Sequence, residues 1–316
     1  MIKRTLYFGS PAYLSKRLEQ LVVKQETGQE VSIPIMDIGI VVLDYPQITM
    51  THGLMQSLME YNIAFVVCDA KHHPTGLMLN LCGNTLQSLR FREQIQAKEP
   101  LKKQLWAQTV EAKLQNQALH LEMRGFKADQ LWAWSRAVAS GDKSNLEGAA
   151  AALYWKQLFA PLGIPSFRRN PEGEAPNHWL NFGYAILRAI VARGLVSSGL
   201  LPTLGIHHRN QYNAYCLADD IMEPFRPFVD KLVYELILKE GLTDRLDKVH
   251  KAKLLTIATE EMFLNERRSP LMVGLQQTTA SLQRCFAGSD KFIVYPLLHQ
   301  TTRRKLSAPS NQPDDE

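Results

Sequence analysis

Two short segments concentrate the side chains that could do chemistry. The first, Ser144-Asn145-Leu146-Glu147-Gly148, is followed by four alanines and so sets one carboxylate beside a run with little side-chain bulk. Another helix or a phosphate backbone could come close there. The same Ser-x-x-Glu pattern also fits a capping box, in which Glu147 would only satisfy a backbone N–H. The second segment reads LPTLGIHHRNQYNAYCLADDIMEPFRPFVDKLVYELI. His207 and His208 stand in a loop-like stretch after Gly205, and a helix is predicted to begin a few residues later. On that helix Asp219 and Asp220 share a face with Glu223, at spacings of four and three. Like charges so placed repel, and a divalent cation would turn that repulsion into binding. Carboxylate oxygens suit Mg²⁺ or Mn²⁺, and an imidazole is tolerated better by Mn²⁺. Pro224, directly after Glu223, would disturb helical hydrogen bonding and fix where the carboxylate points.

A plainer reading stands beside this one. The acids would form a solvated helix face with Arg226 as an i+3 partner to Glu223, and His207 and His208 would be loop residues. Zinc is disfavoured, because no cysteine or second histidine pair stands at a usual zinc spacing. The pair His72-His73 falls in a predicted hairpin and reads as surface.

Basic residues gather around the same segments: Arg168 and Arg169, Arg188 and Arg193, and Arg209 directly after the histidines. Phe167, Trp179, Phe182, Tyr184, Tyr212 and Tyr215 lie among them. Arginines can grip phosphates and aromatic rings can stack on unpaired bases. The alternative is core aromatics and wet surface arginines. The net charge is +5, yet residues 1–85 carry six Lys/Arg against seven Asp/Glu, a net of −1 that leaves +6 to the rest. A basic later part is compatible with a polyanion partner.

The elements that must position these groups change character along the 316 residues. Apolar residues make up 45% and charged residues 21%, which suits folded cores and excludes a disordered chain. Residues 1–85 read as short strands (RTLYFG, EVSIPIMDIGIVVLD, IAFVVCD) with one helix at about 52–61. From about residue 88 apolar positions recur three and four apart, with Pro100 marking a helix start. Further helices are expected at 128–140, 145–160, 176–199, 211–240, 245–267 and 270–287. The fold class is therefore α+β: a small β-rich domain over 1–88, a larger all-α domain over 89–299 and a polar tail over 300–316. Cys68, Cys82, Cys216 and Cys285 form no CxxC pair and are expected to be reduced packing residues. No signal-peptide core and no membrane-length apolar stretch are seen, so a cytoplasmic protein without a membrane is expected.

Three segments together resemble the CRISPR-associated integrase family, the larger subunit of spacer acquisition. NLEGAAAALYWKQLF matches its Glu-Gly-x-Ala-Ala motif. NHWLNFGYAILRAIVARGLVSSGLLPTLGIHH runs into its Gly-x-x-His motif, with His208 at the histidine. LADDIMEPFRPFVD is similar to its Asp-Leu-Met-Glu-x-Phe-Arg-Pro motif, with Glu223 at the third ligand and Asp220 just before it. KLQNQALHL, with Lys113, Asn116 and Gln117, fits as well, and the resemblance spans about residues 1–295. The length and the His-His-Arg-Asn run look most like the type II form, which acts beside an RNA-guided effector nuclease. One departure is the Leu-Tyr-Trp after the alanines, where many members place an arginine.

The resemblance implies a β-sandwich-like N-terminal domain that dimerises and a helical domain holding the metal. Its ligands would be Glu147, His208 and Glu223, binding Mg²⁺ or Mn²⁺, with Asp220 near the site. Arg168, Arg169, Arg188, His207 and Arg209 would be the DNA contacts. It further implies a homodimer joined by a small CRISPR-associated adaptation subunit into a heterohexamer-like complex. The substrates would be double-stranded DNA with free 3′ ends and CRISPR repeat DNA. A metal-dependent endonuclease that also joins strands is thus expected. A branched-DNA repair nuclease or a non-catalytic DNA-binding scaffold could use the same residues.

Overall fold

Residues 3–165 and 167–299 are described by a computed structural model, and the expected tail at 300–316 lies outside them. The β-branched and aromatic runs form β1 (Arg4–Phe8), β2 (Ala12–Arg17), β3 (Gln20–Gln25), β4 (Glu30–Pro34), β5 (Ile38–Leu43) and β6 (Ile48–Met50). Helix α1 (His52–Glu60) then precedes β7 (Ala64–Cys68) and β8 (Pro74–Met78). They build two four-stranded sheets, ordered β1-β5-β7-β8 and β4-β3-β2-β6. In the first, β1, β5 and β7 are parallel and β8 is antiparallel. In the second, β2, β3 and β4 form an antiparallel meander, with β6 parallel to β2.

The apolar run of β5 follows from burial on both faces. Val41 and Phe65 meet Leu14, Leu21 and Val23 of the other sheet and Leu54 and Leu58 of α1. Ile40, Val42, Ala64 and Val66, on the opposite face, join the core of the helical part. The first sheet therefore lies between two cores, one shared with the second sheet and α1 and the other with the helices.

The helical part comprises α2 (Gln87–Gln96), α3 (Glu99–Met123), α4 (Asp129–Ala137), α5 (Leu146–Phe159), α6 (Asn177–Ser197), α7 (Cys216–Met222), α8 (Arg226–Glu240) and α9 (Lys248–Leu255). A hairpin of β9 (Glu261–Leu264) and β10 (Arg267–Pro270) leads into α10 (Leu271–Phe286). Pro100 stands in the first turn of α3, where its missing N–H has no partner to lose. By length and composition alone α6 could cross a membrane, against the expectation of no such stretch. However, 67% of its apolar window is buried inside the fold, as suits a core helix.

Two expected helices differ. The one expected over 211–240 is broken into α7 and α8 by a 3₁₀ turn at Glu223–Phe225, because Pro224 and Pro227 cannot donate to helical hydrogen bonds. The one expected over 245–267 ends at Leu255 and gives way to the β9–β10 hairpin. Asn265 (φ 49°) and Glu266 (φ 62°) form its two-residue loop, the backbone a type I′ turn needs.

A buried ion pair ties the first sheet to α9. Asp44, just beyond β5, lies 2.6 Å from the Lys251 ammonium, and their side chains are 0% and 5% exposed. The Tyr7 hydroxyl also donates to this carboxylate, and His72 Nδ1 lies 2.8 Å from it. Removing one partner of such a pair strands a buried charge. Lys251→Ala is expected to lower stability by about 3–5 kcal/mol in denaturant titration. A loss below about 1 kcal/mol would show that water reaches the pair.

Candidate active site and nucleic-acid cleft

Glu147 is freed from capping by its neighbours. The cap of α5 is Asn145, in the left-handed region at φ 51°, whose side chain accepts from the Gly148 N–H at 3.3 Å. The Asp142 carboxylate accepts from the Leu146 and Glu147 N–H groups at 2.9 and 3.0 Å. The Ser144-to-Glu147 capping box therefore gives way to these two acceptors. A Cβ on Gly148 would lie 2.8 Å from the Asn145 amide, so glycine suits this cap. The Glu147 carboxylate instead accepts from Lys113 Nζ at 2.6 Å.

Glu223 stands on the 3₁₀ turn and is buried. Its Oε1 accepts from Arg226 Nε at 2.7 Å, the i+3 pair the sequence suggests. Its Oε2 pairs with Lys113 Nζ at 2.6 Å, an ion pair largely buried from water. Burial pushes the Glu223 carboxyl up, but the charges of Arg226 and Lys113 more than offset it and hold the group ionised. The turn is pinned from α3: the Asn116 amide donates to the Pro224 carbonyl at 2.8 Å and to the Pro296 carbonyl at 3.0 Å.

The His208 loop is built around Asp220, which is fully buried. Its carboxylate accepts from the Ile206, His207 and His208 N–H groups at 2.7, 2.9 and 3.2 Å, and pairs with His208 Nδ1 at 2.5 Å. A carboxylate on Nδ1 fixes the ring and leaves Nε2 as the outward nitrogen. A Cβ on Gly205 would meet the His208 carbonyl at 2.4 Å and Asp220 Oδ2 at 2.7 Å, so only glycine allows this close approach. His208 holds its proton more tightly than usual. The Asp220 hydrogen bond raises it first, against burial, and the charges of Asp220, Glu223 and Glu147 add to it. Asp219 faces away to Arg188, at 2.6 and 3.1 Å, and to Asn213 at 2.7 Å. The acidic helix face is thus buried and individually paired, rather than solvated.

Glu147 and Glu223 meet across the Lys113 ammonium, and His208 feels both charges. Among the described residues no three His, Cys, Asp or Glu side chains stand close enough to hold an ion. The donor set still suits a hard divalent cation. Two carboxylates already share one cation, and the histidine is anchored through its far nitrogen.

Lys113 and Glu223 line a cleft of about 1310 Å³. Seven Lys/Arg side chains line it against four Asp/Glu, which suits a polyanion. Arg168, Arg169 and Arg188 are among them, while Ala151 and Ala152 leave one wall low and Trp155 and Phe167 add ring faces. The other two expected DNA contacts lie elsewhere. His207 is stacked on Trp106, with ring centroids 4.1 Å apart and planes at 3°. Arg209 pairs with Glu99 at 2.5 Å in a second cleft of about 440 Å³, which His208 also lines.

Lys113 has no role of its own in the motifs of the sequence. A signal was present: Lys113, Asn116, Gln117 and His120 recur at helical spacing along α3, and all four are buried. A polar stripe inside a core helix must serve polar partners.

The family described as CRISPR associated protein Cas1 matches residues 6–268. A CRISPR-associated endonuclease Cas1 of Neisseria meningitidis serogroup C is 33% identical over 285 residues, covering 90% of this chain and 92% of the relative. Among solved structures, a casposase bound to integration product superposes with a TM-score of 0.77 at 19% identity, covering 93% of both chains. A Cas6-RT-Cas1–Cas2 complex gives 0.70 at 21% identity, covering 93% of this chain and 36% of that one. These two likenesses show the fold.

Asp230, one turn beyond Arg226, also lines the large cleft. The Tyr184 and Tyr154 hydroxyls donate to it at 2.5 and 3.0 Å. Burial raises its pKa to about 7, although those bonds and the charges of Arg226 and Arg169 oppose the shift. Because about 7 lies above the ordinary 3.8, the folded chain keeps a proton that the unfolded chain releases between those values. Stability should therefore fall as pH rises through that window. Between pH 5 and 8 the wild type should lose about 3 kcal/mol more than Asp230→Asn. Parallel curves from urea unfolding would place the Asp230 pKa in the ordinary range.

Proposed function

The chain belongs to the CRISPR-associated protein Cas1 family, and on that premise we propose that it is a divalent-metal-dependent DNA endonuclease and integrase. In this reading it inserts short DNA fragments into a CRISPR array. The observation that carries the reading is the pair Glu147 and Glu223, drawn together around one cation at the edge of a basic cleft. Support also comes from the endonuclease named in the Neisseria relative and from the integration product bound by the casposase.

Glu147, His208 and Glu223 would hold the ion, Mg²⁺ or Mn²⁺. When bound, it supplies positive charge against the charge that builds on the phosphoryl oxygens and makes the attacking hydroxyl more acidic. The chain's own residues do the rest. Asp220 sets the His208 ring, and Arg226 keeps Glu223 ionised. Arg168, Arg169 and Arg188 hold phosphates, and Trp155 and Phe167 receive unpaired bases. Ala151 and Ala152 let the DNA backbone approach.

In cutting, water attacks the phosphodiester. In joining, the 3′-hydroxyl of the captured fragment attacks a repeat phosphodiester, forms a new ester and releases a repeat 3′-hydroxyl. Both are in-line displacements, so one site serves both, and positioning supplies much of the rate. The chain would work in the prokaryotic cytoplasm as a homodimer with a small adaptation subunit, in the type II arrangement beside an RNA-guided effector nuclease. The Cas1–Cas2 complex among its structural neighbours supports the small partner.

The test is strand transfer from a short duplex with free 3′ ends into a supercoiled plasmid bearing a CRISPR repeat, in Mn²⁺ or Mg²⁺, with and without the small subunit. Joined product is expected from the wild type. His208→Ala and Glu147→Ala should lower it by about 100-fold or more, and Asp220→Asn by about 10–100-fold. Wild-type joining by Glu147→Ala would remove that residue from the site. Metal-dependent cutting of four-way junctions without joining would indicate a repair nuclease, and DNA binding with neither activity a scaffold.

A further inference from the structure

We propose that Lys113 is a tethered counter-ion: it holds Glu147 and Glu223 together until a divalent metal displaces its ammonium into the cleft, where DNA phosphate receives it. Metal and DNA then load cooperatively. This deepens the reading of Glu147 and Glu223 as ligands and rests on it.

Space comes first. Lys113 Nζ lies 2.6 Å from Glu147 Oε1 and 2.6 Å from Glu223 Oε2. A divalent ion held by the same two carboxylates would need the place the ammonium fills. Charge points the same way. Glu147, Glu223, Lys113 and Arg226 sum to zero, and Lys113, Glu223 and Arg226 are all largely screened from water. Adding a divalent ion with Lys113 still in place would leave that small volume at +2, an unfavourable excess.

A divalent ion offers these two carboxylates twice the charge of the ammonium they now share. The displaced group has somewhere to go, because Lys113 lines the large cleft alongside Arg188 and Lys156. Its four-carbon stem can swing while Arg226 and Asn116 keep the turn at Glu223 fixed. Both metal and DNA then favour the state with Lys113 out. Each must raise the other's affinity by the same factor.

The experiment titrates Mn²⁺ into the full-length protein by calorimetry at one fixed pH. Wild type and Lys113→Met are each measured alone and with a duplex whose 3′ ends lack hydroxyls, with duplex-only blanks subtracted. For the wild type, DNA should tighten the Mn²⁺ Kd about 10-fold. Lys113→Met should bind Mn²⁺ about 10-fold tighter than wild type without DNA, and DNA should change that by less than about 2-fold. Its melting temperature should drop without metal and recover with Mn²⁺. Should that variant fail to fold, Lys113→Arg serves: a bulkier, persistently paired cation should weaken Mn²⁺ binding. No gain in Lys113→Met, no loss in Lys113→Arg, or equal DNA coupling in wild type and Lys113→Met would overturn the proposal. Glu147→Ala and Glu223→Ala separate the two layers. If they bind Mn²⁺ like wild type, the ligand reading itself fails. If they lose Mn²⁺ while Lys113→Met gains nothing, only the displacement fails.

Discussion

Two ionised carboxylates repel each other in a partly buried site unless a cation stands between them, and the helical part of this protein is arranged around that constraint. Glu147 starts α5, Glu223 sits on the turn between α7 and α8, and Lys113 comes from the middle of α3. Three elements far apart in sequence thus meet at one ammonium. The remaining polar side chains of α3 extend the same logic. Asn116 ties the Glu223 turn to the segment near Pro296, and His120 meets the Tyr154 hydroxyl, which reaches Asp230. A 25-residue helix with a polar stripe inside the core acts as a spine for the site.

The acids of α7 and of the turn after it show how the fold prevents neighbouring charges from opposing each other. Asp219 is neutralised by Arg188, Glu223 by Arg226 and Lys113, and Asp220 by three backbone N–H groups and His208. Each carboxylate has its own donors, so each side chain keeps one orientation. That is the property a phosphodiester reaction needs, because most of its catalysis is positioning and charge stabilisation rather than covalent chemistry.

Much of the architecture is legible in residue pattern. The change from alternating to helical spacing near residue 88 marks where strands end and helices begin, and the α+β class follows from it. Pro224 announces the break that α7 and α8 show. What local pattern cannot show is pairing between distant elements. Nothing near Ser144 says that Asn145 and Asp142 will cap α5 and release Glu147, because Asp142 acts through a loop geometry with φ of 47°. Nothing near Lys113 says that it will meet two carboxylates 34 and 110 positions further along the chain. The β9–β10 hairpin was hidden for another reason. Its strands are four residues long, too short for period two to stand out against helical neighbours.

The site divides into parts that cannot move and one part that can. Asp220 and Gly205 lock the His208 loop, Asn116 locks the Glu223 turn, and Asp142 with Asn145 lock the start of α5. Arg226 is held on two sides, by Glu223 at 2.7 Å and by the Tyr184 ring at 4.5 Å. Lys113 alone among these groups is a flexible chain ending in a point charge, and it borders the cleft. On the proposed reading the site stays stable without metal and then accepts metal and DNA together, which calls for one soft element in a rigid frame. The soft element has to carry positive charge, since only a cation can stand in for a cation, and it has to reach the phosphate when it leaves. A lysine on the spine helix meets both conditions, whereas an arginine would keep its planar grip on a carboxylate and resist exchange.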